Sequence, residues 1–310
     1  MKFAIKYPMN AGLDPRFLQP ETMVRFAQAA ERAGYDAIAF TEHPAPSQKW
    51  LSSGGHESFD PLTALAFVAA ATERLRLHTY LLVLPYRNPF LAAKQASTVD
   101  VLSGGRLTLA LGTGYLRSEF AALGVDFTER NALFDESVDV MTGIWQTPDF
   151  AYEGRHFTAR GQTQRPVPVQ TPHPPLWIGG NSQASRRRVA TVGQGWAPLL
   201  INEQMSQTTR TPPLSSPQAL AAAVAELRES TAAQGRDPAA LDIHVEWHEV
   251  SEPAGATSES GRSVEEVRDK LGQLAEAGAT WSAVEPANDD AERAIDSLTA
   301  YAESVIQPGR

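Results

Sequence analysis

The sequence contains no cysteine and no long apolar run, and both absences narrow its function. Without cysteine among the 310 residues, disulfide bridges and thiolate metal sites are excluded. No apolar run is long enough to span a bilayer, and the opening MKFAIKYPMN lacks the apolar segment of a signal peptide. We therefore expect a cytoplasmic protein that does not bind membranes.

Positive charge is also scarce in this chain. The sequence has 27 lysines and arginines against 36 aspartates and glutamates, a net charge of −9. No basic stripe offsets this balance, which argues against nucleic-acid binding.

The hydrophobic fraction of 42% is sufficient for a substantial core. No linker is evident, so we expect one domain over residues 1–310.

Strand-like and helix-like patterns alternate from one end of the chain to the other. Such alternation predicts a parallel sheet with helices outside it, because parallel strands need crossover connections. Eight units favour a closed (β/α)8 TIM barrel, and an open doubly wound sheet is the alternative. The eight predicted strands are KFAIKY (2–7), AIAFTEH (37–43), LRLHTYLLVL (75–84), RLTLALG (106–112), LWIGG (176–180), GWAPLL (195–200), LDIHVEW (241–247) and WSAVE (281–285).

Two segments interrupt this rhythm. Gln146 to Pro175 is rich in proline and polar residues, and it predicts an insertion after the fourth strand. Ser251 to Arg262 follows the seventh strand and has the composition of a mobile lid. A solvated loop without function is the alternative for that second segment.

The fourth predicted strand runs into a pair of glycines, Gly112 and Gly114. A dinucleotide-binding Rossmann turn needs a third glycine three residues later, where this chain has Arg117. The pair therefore predicts either a tight turn or a close approach to a ligand at the carboxyl end of a barrel strand, where barrel active sites form.

The fifth predicted strand ends in Gly179-Gly180-Asn181-Ser182, immediately before a predicted helix. Glycines admit a ligand close to the backbone, and the helix start supplies free N–H groups and a positive dipole end. Asn181 or Ser182 would instead cap the helix if no anion bound there.

His43 and Glu42 close the second predicted strand. An imidazole at that position can hold or move a proton near neutral pH, although a packed histidine is the alternative. His244, Glu246 and His248 would share one face of the seventh strand, and two histidines with a carboxylate can bind a divalent metal. Their spacing along the strand, about 7 Å per pair, disfavours convergence on one ion, and we predict no metal.

The motifs NPFLAAKQASTVDVLSGGRLTLALGTGYLRSEFAALGVDFTERNALFDE and RPVPVQTPHPPLWIGGNSQASRRRVATVGQGWAPL, with Thr41-Glu42-His43, resemble the luciferase-like monooxygenase superfamily. The resemblance is closest to its deazaflavin (coenzyme F420)-dependent oxidoreductases. It implies a (β/α)8 barrel with an insertion after strand four and a flavin or deazaflavin across the barrel mouth.

The resemblance also assigns roles to individual residues. His43 would face the reactive carbon of the cofactor ring, and a non-proline cis peptide would lie near Thr79 and Tyr80. The residues implied in cofactor binding are His43, Thr79, Tyr80, Gly112, Thr113, Gly114, Gly179, Gly180, Asn181 and Ser182.

The chain departs from the sugar-phosphate dehydrogenases of the superfamily at two positions. Those enzymes have a carboxylate after the strand-four glycines and a tryptophan soon after the strand-two histidine, where this chain has Tyr115 and Ser47. Oxidation of a sugar phosphate is therefore disfavoured. We predict His43 as the proton-handling residue, with Glu42 and Tyr115 as helpers.

The sequence thus predicts an oxidoreductase that transfers a hydride between coenzyme F420 and a small organic substrate. The alternatives are an FMN-dependent monooxygenase supplied with reduced flavin by a partner reductase, and a non-catalytic flavin-binding protein. A homodimer is expected from the resemblance, with no interface assigned.

Overall fold

The computed structural model of the chain describes residues 1–9, 14–251 and 262–309. Within these residues there are eleven strands, and the alternation of the parallel strands with helices confirms the predicted (β/α)8 barrel with an insertion. The strands are β1 Lys2–Lys6, β2 Ala37–Phe40, β3 Arg76–Thr79, β4 Leu82–Val83, β5 Leu107–Gly112, β6 Phe150–Glu153, β7 Thr158–Gln162, β8 Leu176–Gly179, β9 Gly195–Ala197, β10 Asp242–Val245 and β11 Trp281–Val284.

Several helices begin or end at capping residues. A capping box of Ser263 and Glu266 is present at the start of α11, and Gly34 ends α1 at φ 94°. No helix in the described ranges is both long and apolar enough to cross a bilayer. The helices are α1 Pro20–Ala33, α2 Gln48–Leu51, α3 Pro61–Ala71, α4 Pro89–Leu102, α5 Arg117–Ala122, α6 Arg130–Gln146, α7 Gln183–Thr191, α8 Glu203–Thr209, α9 Pro217–Ala233, α10 His248–Ser251, α11 Val264–Glu276 and α12 Ala291–Tyr301.

The first of two compact units comprises Met1–Ala39, Arg74–Arg76 and Leu176–Arg310. Its strands pair in parallel in the order β2, β1, β11, β10, β9, β8. Large side chains fill its core, among them the fully buried indoles of Trp177, Trp196 and Trp281. The carboxyl ends of these strands carry the Gly179–Ser182 segment.

The second unit comprises Phe40–Glu73 and Leu77–Pro175. Here β5 pairs in parallel first with β3 and then with β4, and the register differs by one residue between the two pairings. The single predicted strand over 75–84 is therefore two strands. The predicted insertion, Gln146 to Pro175, contains an antiparallel hairpin of β6 and β7, which its proline-rich composition did not predict. The helices α5 and α6 precede it. The single-domain assignment stays a prediction.

Asp100 anchors the end of the insertion to α4. Its side chain is fully buried. Oδ2 accepts hydrogen bonds from the backbone amides of Val169 at 2.8 Å and Gln170 at 3.1 Å, and Oδ1 accepts one from Gln170 Nε2 at 2.7 Å. Because a buried carboxylate is tolerated only with such donors, this residue holds the irregular segment before β8 in place.

Asp100→Asn is expected to destabilise the protein, since the amide group of asparagine would oppose backbone N–H donors with an N–H group of its own. Loss of charge-assisted hydrogen bonds worth about 2–3 kcal/mol should lower Tm in scanning calorimetry by about 3–5 °C. Glu229→Gln, an acid-to-amide change at an exposed position of α9, is the matched control. Equal Tm values for the two variants would contradict the anchoring role.

Candidate active site

His43 lies three residues beyond β2 and is almost fully buried. Its Nδ1 lies 3.2 Å from Oε2 of Glu119, in the first turn of α5, and that carboxyl group is 1% exposed. Since a carboxylate can only accept, Nδ1 carries the hydrogen and the tautomer of the ring is assigned. Ser58 Oγ accepts a 2.7 Å bond from the His43 backbone amide. Hydrogen bonds to the ring and to the backbone amide therefore fix the position of His43.

Glu119 receives two further hydrogen bonds. The Tyr86 hydroxyl donates to Oε2 at 2.9 Å, and the Ala45 amide donates to Oε1 at 3.3 Å. Burial, together with the negative charge of Glu119, raises the pKa of Tyr86, which therefore stays a neutral donor. One buried carboxylate thereby orders a histidine, a tyrosine and the backbone after β2.

Glu119 is not among the site residues predicted from the sequence. Tyr115 occupies the position of the carboxylate expected in sugar-phosphate dehydrogenases, and the carboxylate of this chain comes four positions later. The available signal was an acidic residue in the first turn of a helix that follows a glycine-bearing strand end.

Glu42, predicted as a catalytic helper, has its carboxylate engaged within the protein. It is buried, Oε2 accepts a 2.5 Å bond from the Val83 amide, and Oε1 pairs with the guanidinium of Arg87. Burial lowers the pKa of Arg87 to about 10, so this guanidinium remains charged at neutral pH. The contacts of Glu42 fix the chain near β4, and its direct part in catalysis stays a prediction.

Aromatic rings surround the imidazole of His43. The ring of Trp50 lies 4.4 Å away between centroids, that of His56 4.7 Å away and that of Tyr115 6.0 Å away. The sequence analysis noted Ser47 in place of a tryptophan, but Ser47 caps α2 and Trp50 follows on that helix. An indole therefore contacts the histidine from a different position of the chain.

Thr79 and Tyr80 lie where β3 ends, and both are buried. The peptide bond between Tyr80 and Leu81 is cis, which confirms the non-proline cis peptide implied there. The Thr79 hydroxyl donates to the Ala110 carbonyl at 2.8 Å, and the Tyr80 amide donates to the Phe40 carbonyl at 2.7 Å. These contacts place the pair in the second unit with His43.

Gly112, Thr113 and Gly114 follow in the same unit. Gly114 has φ 76°, and a Cβ atom on it would lie 2.6 Å from the Val83 side chain. Glycine is required at that position by the backbone conformation and by the close approach of Val83. Cofactor contact by these three residues stays a prediction.

In the first unit, Gly179, Gly180, Asn181 and Ser182 connect β8 to α7. Ser182 Oγ accepts a bond from the Ser185 amide at 3.1 Å, which is the capping arrangement weighed in the sequence analysis. The Asn181 side-chain amide donates to the carbonyls of Leu199 and Pro212 and accepts from the Leu199 amide. The Asn181 side chain therefore holds neighbouring loops, and its predicted contact with a cofactor stays untested.

The three residues of the metal alternative have separate environments. β10 ends at Val245, so His248 lies on the short helix α10 instead of the strand. His244 is buried, with its ring 5.3 Å from the Trp177 ring, whereas Glu246 pairs with Lys6 at 2.9 Å. The described part of the chain contains no group of three metal-ligating side chains. Of the predicted lid, residues 252–261 lie outside the described residues.

Burial, reinforced by the positive charge of Lys6, lowers the pKa of His244 to about 3. An unfolded histidine titrates near about 6.5, so between these values the unfolded chain binds a proton that the folded chain does not. Folding stability is therefore expected to fall as pH drops from about 6.5 toward 3, by up to about 1.4 kcal/mol per pH unit from this residue.

His244→Gln should flatten the pH dependence of urea unfolding in that window, because the variant has no imidazole to protonate. His248→Gln removes an imidazole with a mostly exposed side chain and is the matched control, expected to keep the wild-type slope. A wild-type slope in His244→Gln would show that His244 is not the group responsible.

The sequence of this chain is similar to those of known proteins. Residues 1–253 match the family model described as luciferase-like monooxygenase. The chain is 31% identical to an FMNH(2)-dependent dimethylsulfone monooxygenase of Pseudomonas putida over 175 residues, which are 54% of this chain and 46% of the relative. It is 32% identical to an F420-dependent glucose-6-phosphate dehydrogenase of Beutenbergia cavernae over 184 residues, 57% of this chain and 52% of the relative. The chain thus spans about half the length of these relatives.

Solved structures show the same fold over the whole chain. The monooxygenase RslO1 from Streptomyces bottropensis superposes with a TM-score of 0.83 at 22% identity, covering 100% of both chains. An F420-dependent secondary alcohol dehydrogenase in complex with an F420-acetone adduct gives a TM-score of 0.77 at 16% identity, covering 99% of both chains. At these identities the likeness concerns the fold alone.

Proposed function

The chain belongs to the luciferase-like monooxygenase family, and from that premise we propose that it transfers a hydride between coenzyme F420 and a small organic substrate. The observation that carries the proposal is the buried pair of His43 and Glu119, joined at 3.2 Å. Hydride transfer to or from a carbon–oxygen group needs a proton moved at the oxygen, and an imidazole of assigned tautomer performs that task near neutral pH.

The residues present fit such a cofactor in their chemistry. α7 begins at Gln183, and the amides of its first turn have no hydrogen-bond partner within the helix. The amide of Ser185 donates to Ser182 Oγ instead. Gly180, at φ 90°, precedes them, and a Cβ atom on it would lie 3.2 Å from Ser185 Oγ. Free amides at a positive helix end suit the phosphate of a cofactor tail, and Ser182 adds a hydroxyl.

When bound, F420 supplies a carbon that gives or accepts the hydride, and the protein supplies position and proton handling. The Nδ1 hydrogen of His43 is donated to Glu119. Proton exchange with the substrate oxygen would therefore take place at Nε2. Tyr86 stays neutral and donates to Glu119, which keeps the carboxylate oriented. Tyr115, with its ring 6.0 Å from that of His43, is a second hydroxyl beside the same site.

A second function is favoured by one of the relatives. The Pseudomonas putida enzyme is named as FMNH(2)-dependent, and a monooxygenase of that kind would need a reductase partner to supply reduced flavin. The same imidazole would then handle protons for oxygen chemistry. The relatives named above are enzymes, and the non-catalytic alternative is not retained. A homodimer in the cytoplasm stays a prediction.

A binding titration separates the two cofactors. We expect purified protein to bind F420 with a Kd at least about tenfold below that for FMN, a difference of about 1.4 kcal/mol. The measurement is quenching of cofactor fluorescence under anaerobic conditions, with oxygen consumption during turnover as a second readout. Tighter binding of FMN together with oxygen uptake would establish the monooxygenase instead.

His43→Ala should lower the rate of single-turnover hydride transfer by about 10²–10⁴-fold, the usual contribution of a positioned acid or base, while cofactor affinity changes far less. Glu119→Gln removes a charged hydrogen-bond acceptor worth about 1.5–3 kcal/mol and should slow the same step about tenfold or more. The rates of both variants are measured from the change in F420 absorbance with a panel of alcohols and ketones.

Glu153→Gln provides the control for these kinetics, since it makes the same acid-to-amide change at an exposed position of β6. It should react at the wild-type rate. If His43→Ala retained the wild-type rate with any substrate that turns over, proton handling by this imidazole would be disproved.

A further inference from the structure

Four rings form a cluster at one end of the second unit: those of His43, Trp50, His56 and Tyr115, called the ring cluster below. Trp50 lies on His43 with an interplanar angle of 39°, and His56 meets both of these rings edge-on, 4.7 Å from His43 and 5.5 Å from Trp50. These separations are those of favourable aromatic pairs. The proton-handling imidazole is therefore one wall of an aromatic surface.

The chain after β2 is built to hold the Trp50 ring in this position. Ser47 Oγ accepts a bond from the Trp50 amide at 3.3 Å and starts the short helix that carries the indole. Gly55 packs against the Trp50 ring so closely that a Cβ atom at position 55 would lie 2.4 Å from Trp50 Cε3. Any residue other than glycine at position 55 would displace the indole, so the surface is pre-organised.

The ring cluster is accessible and uncharged in its neutral form. Trp50, His56 and Tyr115 are each partly exposed. The carboxylates of Glu42 and Glu119 are buried and hydrogen-bonded within the protein. What faces outward is therefore the π-surface and edges of rings, which favour a planar apolar group over a sugar hydroxyl or a phosphate.

We propose that Trp50 and His56 form a substrate subsite that binds an uncharged, planar aromatic ring beside His43. The proposal rests on the proposed function, since His43 is where the reacting group of the substrate would meet its proton partner. It assigns the substrate class to aromatic alcohols, ketones or related neutral ring compounds. Trp50 determines specificity in this view, and Gly55 positions it.

Two probes with the same skeleton test the proposal without cofactor. Ligand-observed NMR with 2-naphthol and with decahydro-2-naphthol compares an aromatic ring with its saturated counterpart. We expect the wild-type protein to bind 2-naphthol at least about fivefold more tightly, as one aromatic pair contributes that much. In protein-observed spectra, the ring protons of His43, assigned through His43→Ala, should shift on addition of 2-naphthol.

Trp50→Leu should weaken binding of 2-naphthol about fivefold and leave that of the saturated probe nearly unchanged. Gly55→Ala keeps the indole but displaces it, and should weaken binding in the same direction. Phe67→Leu removes a ring that is 44% exposed on α3, and this control should bind both probes as the wild type does. If Trp50→Leu fails to fold by circular dichroism, the Gly55→Ala result decides.

Equal affinity for the two probes, or wild-type affinity in Gly55→Ala, would overturn the subsite. The proposed function fails separately, if the wild-type protein binds neither F420 nor FMN in the fluorescence titration. A preference for 2-naphthol that depends on Trp50 would in that case still support the ring cluster as an aromatic-binding surface.

Discussion

The buried carboxylate of Glu119 is the interaction on which the arrangement of the candidate site depends. An ionised carboxyl group away from water is stable only when donors surround it. Here the donors are the His43 ring, the Tyr86 hydroxyl and the Ala45 amide. The histidine and the alanine lie in the segment after β2 and the tyrosine follows β4, so the need to satisfy one charge holds two separate segments to α5. The same need assigns the hydrogen on the histidine ring.

Glu42, one residue before His43, is a second buried carboxylate that is stabilised by hydrogen-bond donors. Consecutive residues in an extended segment point to opposite sides, and the carboxylate of Glu42 accordingly engages Val83 and Arg87 while His43 engages Glu119. Both carboxylates order irregular backbone just beyond strand ends, where ladder hydrogen bonds are no longer available. Glu42, which the sequence predicted as a catalytic helper, thus also stabilises the backbone next to His43.

The proposed substrate and cofactor sites use different parts of the chain. The glycine-bearing strand ends and the start of α7 offer backbone groups, whose chemistry suits the proposed cofactor. The segment that carries Trp50 and Gly55 offers rings, and it is a short surface excursion that can change without disturbing the barrel. Sites placed on one fold in this way support many reactions, and the relatives of this chain are named for different ones.

By itself, the sequence determined the alternation of strands and helices, the capping box at Ser263 and the glycine-bearing strand ends. Each of these depends on local pattern or on a resemblance carried by continuous motifs. The tertiary structure alone decided that Glu119 binds His43 across 76 positions, that Trp50 covers the imidazole, and that His244 and His248 do not share a strand face. Such pairings depend on where the backbone places distant segments and where a strand ends, and short-range periodicity carries no information about either.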